Sequence, residues 1–242
     1  MSLTRYLLVI KALEELYALE ALDDSGSLTP IGRRMAELPL DPNYAKLIIN
    51  AKKYKCESRI IDIISMMSID SPFYASQDEK DKQTMVLKEF KHFEGDHLTL
   101  LNVLIAFLKT PTQEFCDTHF IKKRSMAIVL QTRTQLRGLV KCGLEDEGSN
   151  DDVLKCILSG FFQNVGMLQG DGGYKIMGSP QPVYIHPSSH LFKQNAKCVV
   201  FGELVKTSRV YMKRVSVVRM EWVMEVAPHY YKKSTTIKIN KN

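Results

Sequence analysis

Three polar side chains, His97, Thr99 and Asn102, stand near the start of an otherwise apolar run, EGDHLTLLNVLIAFL, from Glu94 to Leu108. An imidazole, a hydroxyl and an amide at this spacing can do two things. They can cap a helix and satisfy its free N–H groups, or they can point into a channel and hydrogen-bond a strand lying beside it. The residue types leave both open. A second set is basic: Arg124, Arg133 and Arg137. The last two are four residues apart and share a helix face, turned either to solvent or to an anion. His119, His190 and His229 are isolated, and Asp23-Asp24 and Asp151-Asp152 sit in a turn and at a helix start, where carboxylates cap rather than catalyse. The sequence has no GxxxxGK[ST] phosphate loop, no Asp-Glu pair after an apolar strand, no GxSxG elbow and no HExxH. The chain by itself is expected to catalyse nothing and to need no metal or cofactor.

The 242 residues carry five cysteines with no CxxC spacing, which argues against a zinc site or disulfide framework and fits a reducing compartment. No run of about 18 apolar residues is present, so no membrane partner is expected. The N-terminal SLTRYLLVIKALEEL reads as a helix rather than a leader, because Glu14 and Glu15 arrive without a small-residue cleavage site. The net charge of +6 is concentrated: residues 160–242 hold twelve basic and four acidic side chains, while the rest is close to neutral. A basic C-terminal third favours a polyanionic partner.

The elements that position these residues follow from periodicity. Arg5 to Leu22 carries a helical stripe of Tyr6, Val9, Ile10, Leu13, Leu16 and Tyr17, then a turn at Asp23–Gly26. Thr29-Pro30 starts a short helix that ends before Pro39. This is the pattern of a small winged-helix unit, in which Arg33-Arg34 could face DNA, although its near neutrality favours a spacer. Helical periodicity resumes over Tyr44–Met67, Ser76–Lys82 is an exposed loop or helix start, and the apolar helix from Asp96 must be surrounded by others. One long helix is expected over Glu114–Leu139. Gly143–Asp152 is an acidic linker, and Asn150 caps a helix that stops at Gly166. After Gly166 the period changes to two, with strands at Tyr174–Met177, Pro182–His186, Cys198–Val205 and Val210–Val218 and a helical turn near Trp222. Four or five strands in about seventy residues suit a small barrel whose open face takes up single strands.

Several motifs carry a family resemblance. LTPIGRRMAELPLDP (Leu28–Pro42) resembles the winged-helix signature of the DEAH-box RNA helicases, and EGDHLTLL (Glu94–Leu101) resembles their central ratchet helix. Gly160-Phe161-Phe162 followed by VYIHPSS (Val183–Ser189) is similar to the entry of their oligonucleotide-binding barrel, and WVMEVAPHYY (Trp222–Tyr231) to its end. The order matches along the whole chain, most closely in the pre-mRNA-splicing branch.

The resemblance implies a multidomain α+β chain: a winged helix over 1–43, a ratchet-like helical bundle over 44–159, a five-stranded OB-type β-barrel over 160–233 and a tail over 234–242. It implies a C-terminal accessory region, with ATP and magnesium handled in absent ATPase domains and single-stranded RNA held against those domains. By the same resemblance the RNA-binding residues are His97, Thr99 and Asn102 of the ratchet helix, Arg124 and Arg133 of the RS…R.QL helix, and Tyr174, His186, Ser188 and Ser189 of the barrel. Ala127, Ile128 and Ala196-Lys197-Cys198 depart from the family pattern, which weakens the expected phosphate grip and one barrel rim. Spliceosomal proteins and a glycine-rich-motif (G-patch) activator are the implied protein partners, and the nucleus the implied location. The alternative is a protein-interaction platform that docks such an activator and binds little RNA.

Overall fold

The computed structural model describes residues 3–74, 78–140, 146–177, 179 and 181–231. Helix α1 (Leu3–Ala18) ends four residues before the expected Leu22, because Glu20 takes φ +60° and turns the chain back. Asp23 closes the following turn by accepting from the Ser25 and Ser27 amides, and Leu22 bridges to Leu28. Thr29 caps α2 (Pro30–Ala36), accepting from the Gly32 amide while its own hydroxyl donates to Glu20 O. The α1 stripe stands largely clear of this unit. Tyr6, Leu7, Leu8, Val9 and Leu13 are exposed, while Leu16 packs against the core.

The periodicity over Tyr44–Met67 belongs to two helices, α3 (Pro42–Ala51) and α4 (Glu57–Met67), separated by a turn in which Lys55 takes φ +51°. Helix α5 (Lys80–Leu87) and a single 3-10 turn precede α6 (Asp96–Lys109). Helix α6 is buried through Leu104, but Ile105 and Leu108 reach the surface, so it is less enclosed than its composition suggests. The long helix expected over Glu114–Leu139 is broken into α7 (Gln113–Thr118) and α8 (Lys123–Val140). There Phe120 takes φ +54°, Ile121 bridges to Phe73, and Lys122 N donates to Pro72 O. Tertiary hydrogen bonds to the segment after α4 replace the helical ones.

Part of the acidic linker lies outside the described residues, but its end is anchored. Both Asp146 carboxylate oxygens accept the Ser58 and Arg59 amides at the start of α4, so a residue nearly ninety positions away caps that helix. Ser149, not Asn150, caps α9 (Asn150–Phe161) in a capping box with Asp152. Gly160 lets α9 lie against α3, since a Cβ there would fall 2.6 Å from Asn43 O.

Helix α9 ends at Phe161, and a strand the alternation did not reveal, β1 (Val165–Leu168), follows. With β2 (Tyr174–Ile176), β3 (Pro182–Ile185), β4 (Cys198–Lys206) and β5 (Val210–Val217) it closes a barrel in the order β1-β2-β3-β5-β4, antiparallel except for β3 beside β5. Val183, Ile185, Val199, Phe201, Met212 and Val215 fill its interior. Helix α10 (Met220–Val226) packs Trp222 and Val223 back onto α9. One continuous apolar core runs from Leu19 through α3, α4 and α9 to Val165, Val200 and Trp222. Winged helix, bundle and one end of the barrel therefore share this core, while the barrel interior and the far side of the bundle around Val103, Phe107 and Met126 have apolar clusters of their own.

Asp146→Ala should lower unfolding stability by about 1–3 kcal/mol in urea titration, because two helix-start amides and the partly buried Arg59 lose their acceptor. Glu147→Ala, which breaks only an exposed, solvent-screened pair with Lys55, should leave the urea midpoint unchanged.

Candidate nucleic-acid interface

The first turn of α6 meets the barrel at Gly95, Asp96 and His97. Gly95 bridges to Ser216 with φ +119°, and a Cβ there would fall 2.3 Å from Val215 O, so only glycine fits. Asp96 does not cap its own helix. Its carboxylate accepts from the His190 and Val215 amides, both at 2.8 Å, and from the Ser189 hydroxyl. Burial pushes this carboxyl above the usual range, and the three donors pull it part of the way back. His97 has no exposed surface. Its Nδ1 lies 2.8 Å from Ser216 Oγ and its Nε2 has no hydrogen-bond partner among the described residues, so burial, helped by Arg214, drives its pKa down to about 3.

The other sequence-predicted residues divide into two groups. Thr99 Oγ1 accepts from the His92 amide and donates to Gly95 O, and Asn102 Nδ2 donates to Phe90 O, so both tie the preceding loop to α6. Arg133 is held by Asp62 at 2.6 Å, with Arg137 alongside contacting the same carboxylate and Ser58. Tyr174 points into the barrel and donates to Ala196 O. In this structure His97, Thr99, Asn102, Arg133 and Tyr174 each have a partner inside the fold; His97, Thr99 and Tyr174 are buried, and Asn102 and Arg133 are half-buried. Arg124 is exposed on the first turn of α8 and has no partner among the described residues.

His186, Ser188 and Ser189 come together at the mouth of a cleft of about 650 Å³ between bundle and barrel. The bundle contributes Asp70, Tyr74, Gln83 and Lys91, and the barrel adds Glu203, Lys213 and Arg214. Ser188 N–H donates to His186 Nδ1, which makes Nδ1 an acceptor and leaves the proton on Nε2. Burial and the nearby Lys213 lower the pKa of His186, so the imidazole is neutral at pH 7 and offers Nε2–H as a donor. Ser188 is exposed beside it, whereas Ser189 is mostly taken up by Asp96 and the Leu191 amide. Lys213 reaches Asp70 at 3.2 Å, and Arg214 donates to Ile69 O and lies 3.9 Å from Glu203. The Ser188 hydroxyl, 2.7 Å from His186 Nδ1, also donates to that nitrogen, so the lining mixes charges of both signs with hydroxyl oxygens that accept and an imidazole N–H that donates. Such a surface can hold phosphate or ribose oxygens without selecting a base. Among the described residues no cluster of His, Cys, Asp and Glu could hold a metal ion, and no helix is long and apolar enough to cross a membrane.

Sequence reasoning missed Lys91, Lys213 and Arg214, and it treated His190 as isolated. Lys213 and Arg214 adjoin in a strand where alternation would send only one outward; Arg214 takes φ +56° opposite Gly202, and both line the cleft.

Residues 12–40 match the winged-helix part of the helicase-associated domain HA2, residues 41–100 its ratchet-like part, and residues 153–230 the oligonucleotide/oligosaccharide-binding (OB) fold. The chain is 38% identical over 229 residues to the ATP-dependent RNA helicase DHX33 of Mus musculus, covering 93% of this chain and 33% of that protein. It is 36% identical over 234 residues to the probable ATP-dependent RNA helicase DHX35 of Pongo abelii, covering 94% and 32%. With the human DHX35 protein it shares 35% identity over 238 residues, covering 96% and 34%. The chain spans about a third of the length of these curated relatives.

As the pH falls from 6.5 toward 3, the unfolded chain takes up a proton at His97 that the folded chain refuses. Stability should therefore fall with acidification, by up to about 1.4 kcal/mol per pH unit from this group. His186 and His190, also lowered, add to the effect, while Asp96, raised, opposes it nearer pH 4. Urea midpoints measured from pH 7 to 5 should show the slope, and His97→Asn should flatten it; an unchanged slope would place the titration elsewhere.

Proposed function

The chain belongs to the DEAH-box RNA helicases, whose winged-helix, ratchet-like and OB modules it carries in sequence, and on that premise we propose that it binds single-stranded RNA in the cleft between bundle and barrel. In this reading it is an accessory region without catalytic groups of its own. It couples ATP hydrolysis, performed with magnesium in ATPase domains outside this sequence, to the remodelling of RNA–RNA and RNA–protein contacts. The observation that carries the reading is the convergence of His186, Ser188, Lys91 and Lys213, from two different modules, on one open cleft. Likeness of the motif set to the splicing branch supports a nuclear setting in pre-mRNA splicing, with spliceosomal proteins as partners.

A second reading has its own support. Tyr6, Val9 and Leu13 leave the apolar stripe of α1 uncovered, with Leu7 and Leu8 exposed on its other sides, and a protein partner such as the chain's own ATPase domains or a G-patch activator would bury them. The two readings differ in their salt dependence. Fluorescence anisotropy with labelled oligouridine should give a log–log salt slope of about −1.4 to −2.8, two to four phosphates at roughly −0.7 each. The double variant His186→Ala/Ser188→Ala should weaken binding about 5- to 20-fold through lost hydrogen bonds. Arg124→Ala should make the slope shallower by about 0.7, and Arg133→Ala should cost stability but leave the slope alone. A flat slope would overturn the RNA reading in favour of the platform.

A further inference from the structure

The cleft between bundle and barrel has walls of unequal firmness. On the barrel side the loop carrying His186 and Ser188 is held through the His190 amide on Asp96, and Lys213 and Arg214 are tied to Asp70 and to Ile69 O. On the bundle side the lip is formed by α5 and its flanks, which contribute Tyr74, Gln83, Thr84, Leu87 and Lys91 to the lining. The flanks are clamped. Tyr74 N donates to Phe120 O beside the bridge between Phe73 and Ile121, and after the helix Phe90 is buried while its carbonyl accepts from Asn102. Helix α5 itself is held differently. Its apolar residues Met85, Val86 and Leu87 are consecutive, so they lie about 100° apart around the axis and form no stripe that one neighbour could cover. No side chain from Asp81 to Leu87 is buried; Met85 is 69% exposed, and Leu87 packs only half-buried on the bundle's second apolar cluster. The Gln83 amide donates to Tyr74 O, which ties the helix to its own flank.

We propose that α5 is a lid that closes over a strand lying in the cleft and sets how fast the strand leaves. The proposal rests on the single-strand reading of the cleft and adds its regulation. Isolated helices shorter than about 12–15 residues are marginal in water, so the eight residues of α5 depend on packing for their helicity, and the packing is slight. A strut in the same place would bury an apolar face or cap its first turn. Helix α4 does the first along most of its length and α9 does both, whereas Glu79 makes no side-chain cap to α5. Segments with few buried contacts open at low free energy, and an occupant that touches them shifts them toward the ordered form. Here the occupant supplies what the core does not. Gln83 and Thr84 bring an amide and a hydroxyl to the lining, and Lys91 at the far flank brings a cation suited to phosphate. The fixed walls then decide where a strand lies, and the loosely held one decides how long it stays.

Hydrogen exchange and dissociation rates test the lid together. The 242-residue chain is exchanged with and without saturating fluorescein-labelled oligouridine of 12 nucleotides. Dissociation is then followed by stopped-flow anisotropy for the wild type, Met85→Gly and Met85→Ala, with thermal melts to establish folding. Met85 is exposed and does not line the cleft, so neither substitution removes a lining group. Glycine weakens the helix and alanine does not. In the free chain the amides of Gln83 to Leu87 should exchange about 100-fold or more faster than those of α4, and oligouridine should slow them about fivefold or more. Met85→Gly should speed dissociation about 3- to 5-fold, while Met85→Ala keeps the wild-type rate. Amides of α5 as slow as those of α4 in the free chain overturn the lid, and so does equal acceleration by Met85→Ala, which would trace the effect to the lost side chain. Oligouridine that protects the Ser188 to His190 amides but leaves α5 unchanged overturns the lid and keeps the cleft. Oligouridine that protects neither, or does not bind, overturns both.

Discussion

One carboxylate holds the molecule's two halves in register. Asp96, in the first turn of α6, accepts from the amides of His190 and Val215 and from Ser189, all barrel residues. Val217 N donates to Glu94 O two residues earlier, and His97 is hydrogen-bonded to Ser216 one residue later. Glu94, Asp96 and His97 at the helix start are thus matched to Val217, Val215 and Ser216 of β5. A buried amide without an acceptor costs about 1–3 kcal/mol, so relative movement of bundle and barrel exposes several such debts at once. The cleft exists because the seam is fixed: His186 and Ser188 hang from the loop that Asp96 grips through His190, and Lys91 comes from the loop that Thr99 and Asn102 tie to α6.

This constraint sorts the polar residues by task. Those nearest the seam, His97, Thr99 and Asp96, are consumed internally, as are Arg133 and Arg137 around Asp62. The groups left facing outward, His186, Ser188, Lys213 and Arg209, lie on the barrel, where the positive charge is concentrated. The bundle supplies one wall of the cleft and the barrel the other. On the reading proposed above, a region that holds a strand gains from such a division, because the polar groups are carried by modules packed on a common core.

The sequence made much of this architecture legible, and its failures have identifiable causes. Thr29-Pro30, the strand-forming runs at β4 and β5 and the change of period after the last long helix all encode local structure, and they matched it. The break at Phe120 was invisible because the competing hydrogen bonds come from Pro72 and Phe73, far upstream. Strand β1 hid in a short apolar run beside an apolar helix end, where no alternation separates the two. The roles of His97, Thr99 and Arg133 were illegible for a different reason. Donors that suit a phosphate suit Ser216, Gly95 O and Asp62 equally well, and only the fold decides which is in reach. His186 and Ser188 were recognisable through their motif, whereas Lys91 and Lys213 needed the barrel's closure to bring them together.

Hydrogen exchange across the seam tests the central claim most directly. Asp96→Asn preserves shape but sets an amide donor against one of the two barrel N–H groups. In the wild type, the amides of His190, Val215 and Val217 and the first turn of α6 should exchange slowly and as one cooperative unit. In Asp96→Asn all of them should lose protection together, by about 2–3 kcal/mol of opening free energy. Unchanged protection on the barrel side, or exchange in which β5 and α6 already open independently in the wild type, would contradict a seam held by this carboxylate.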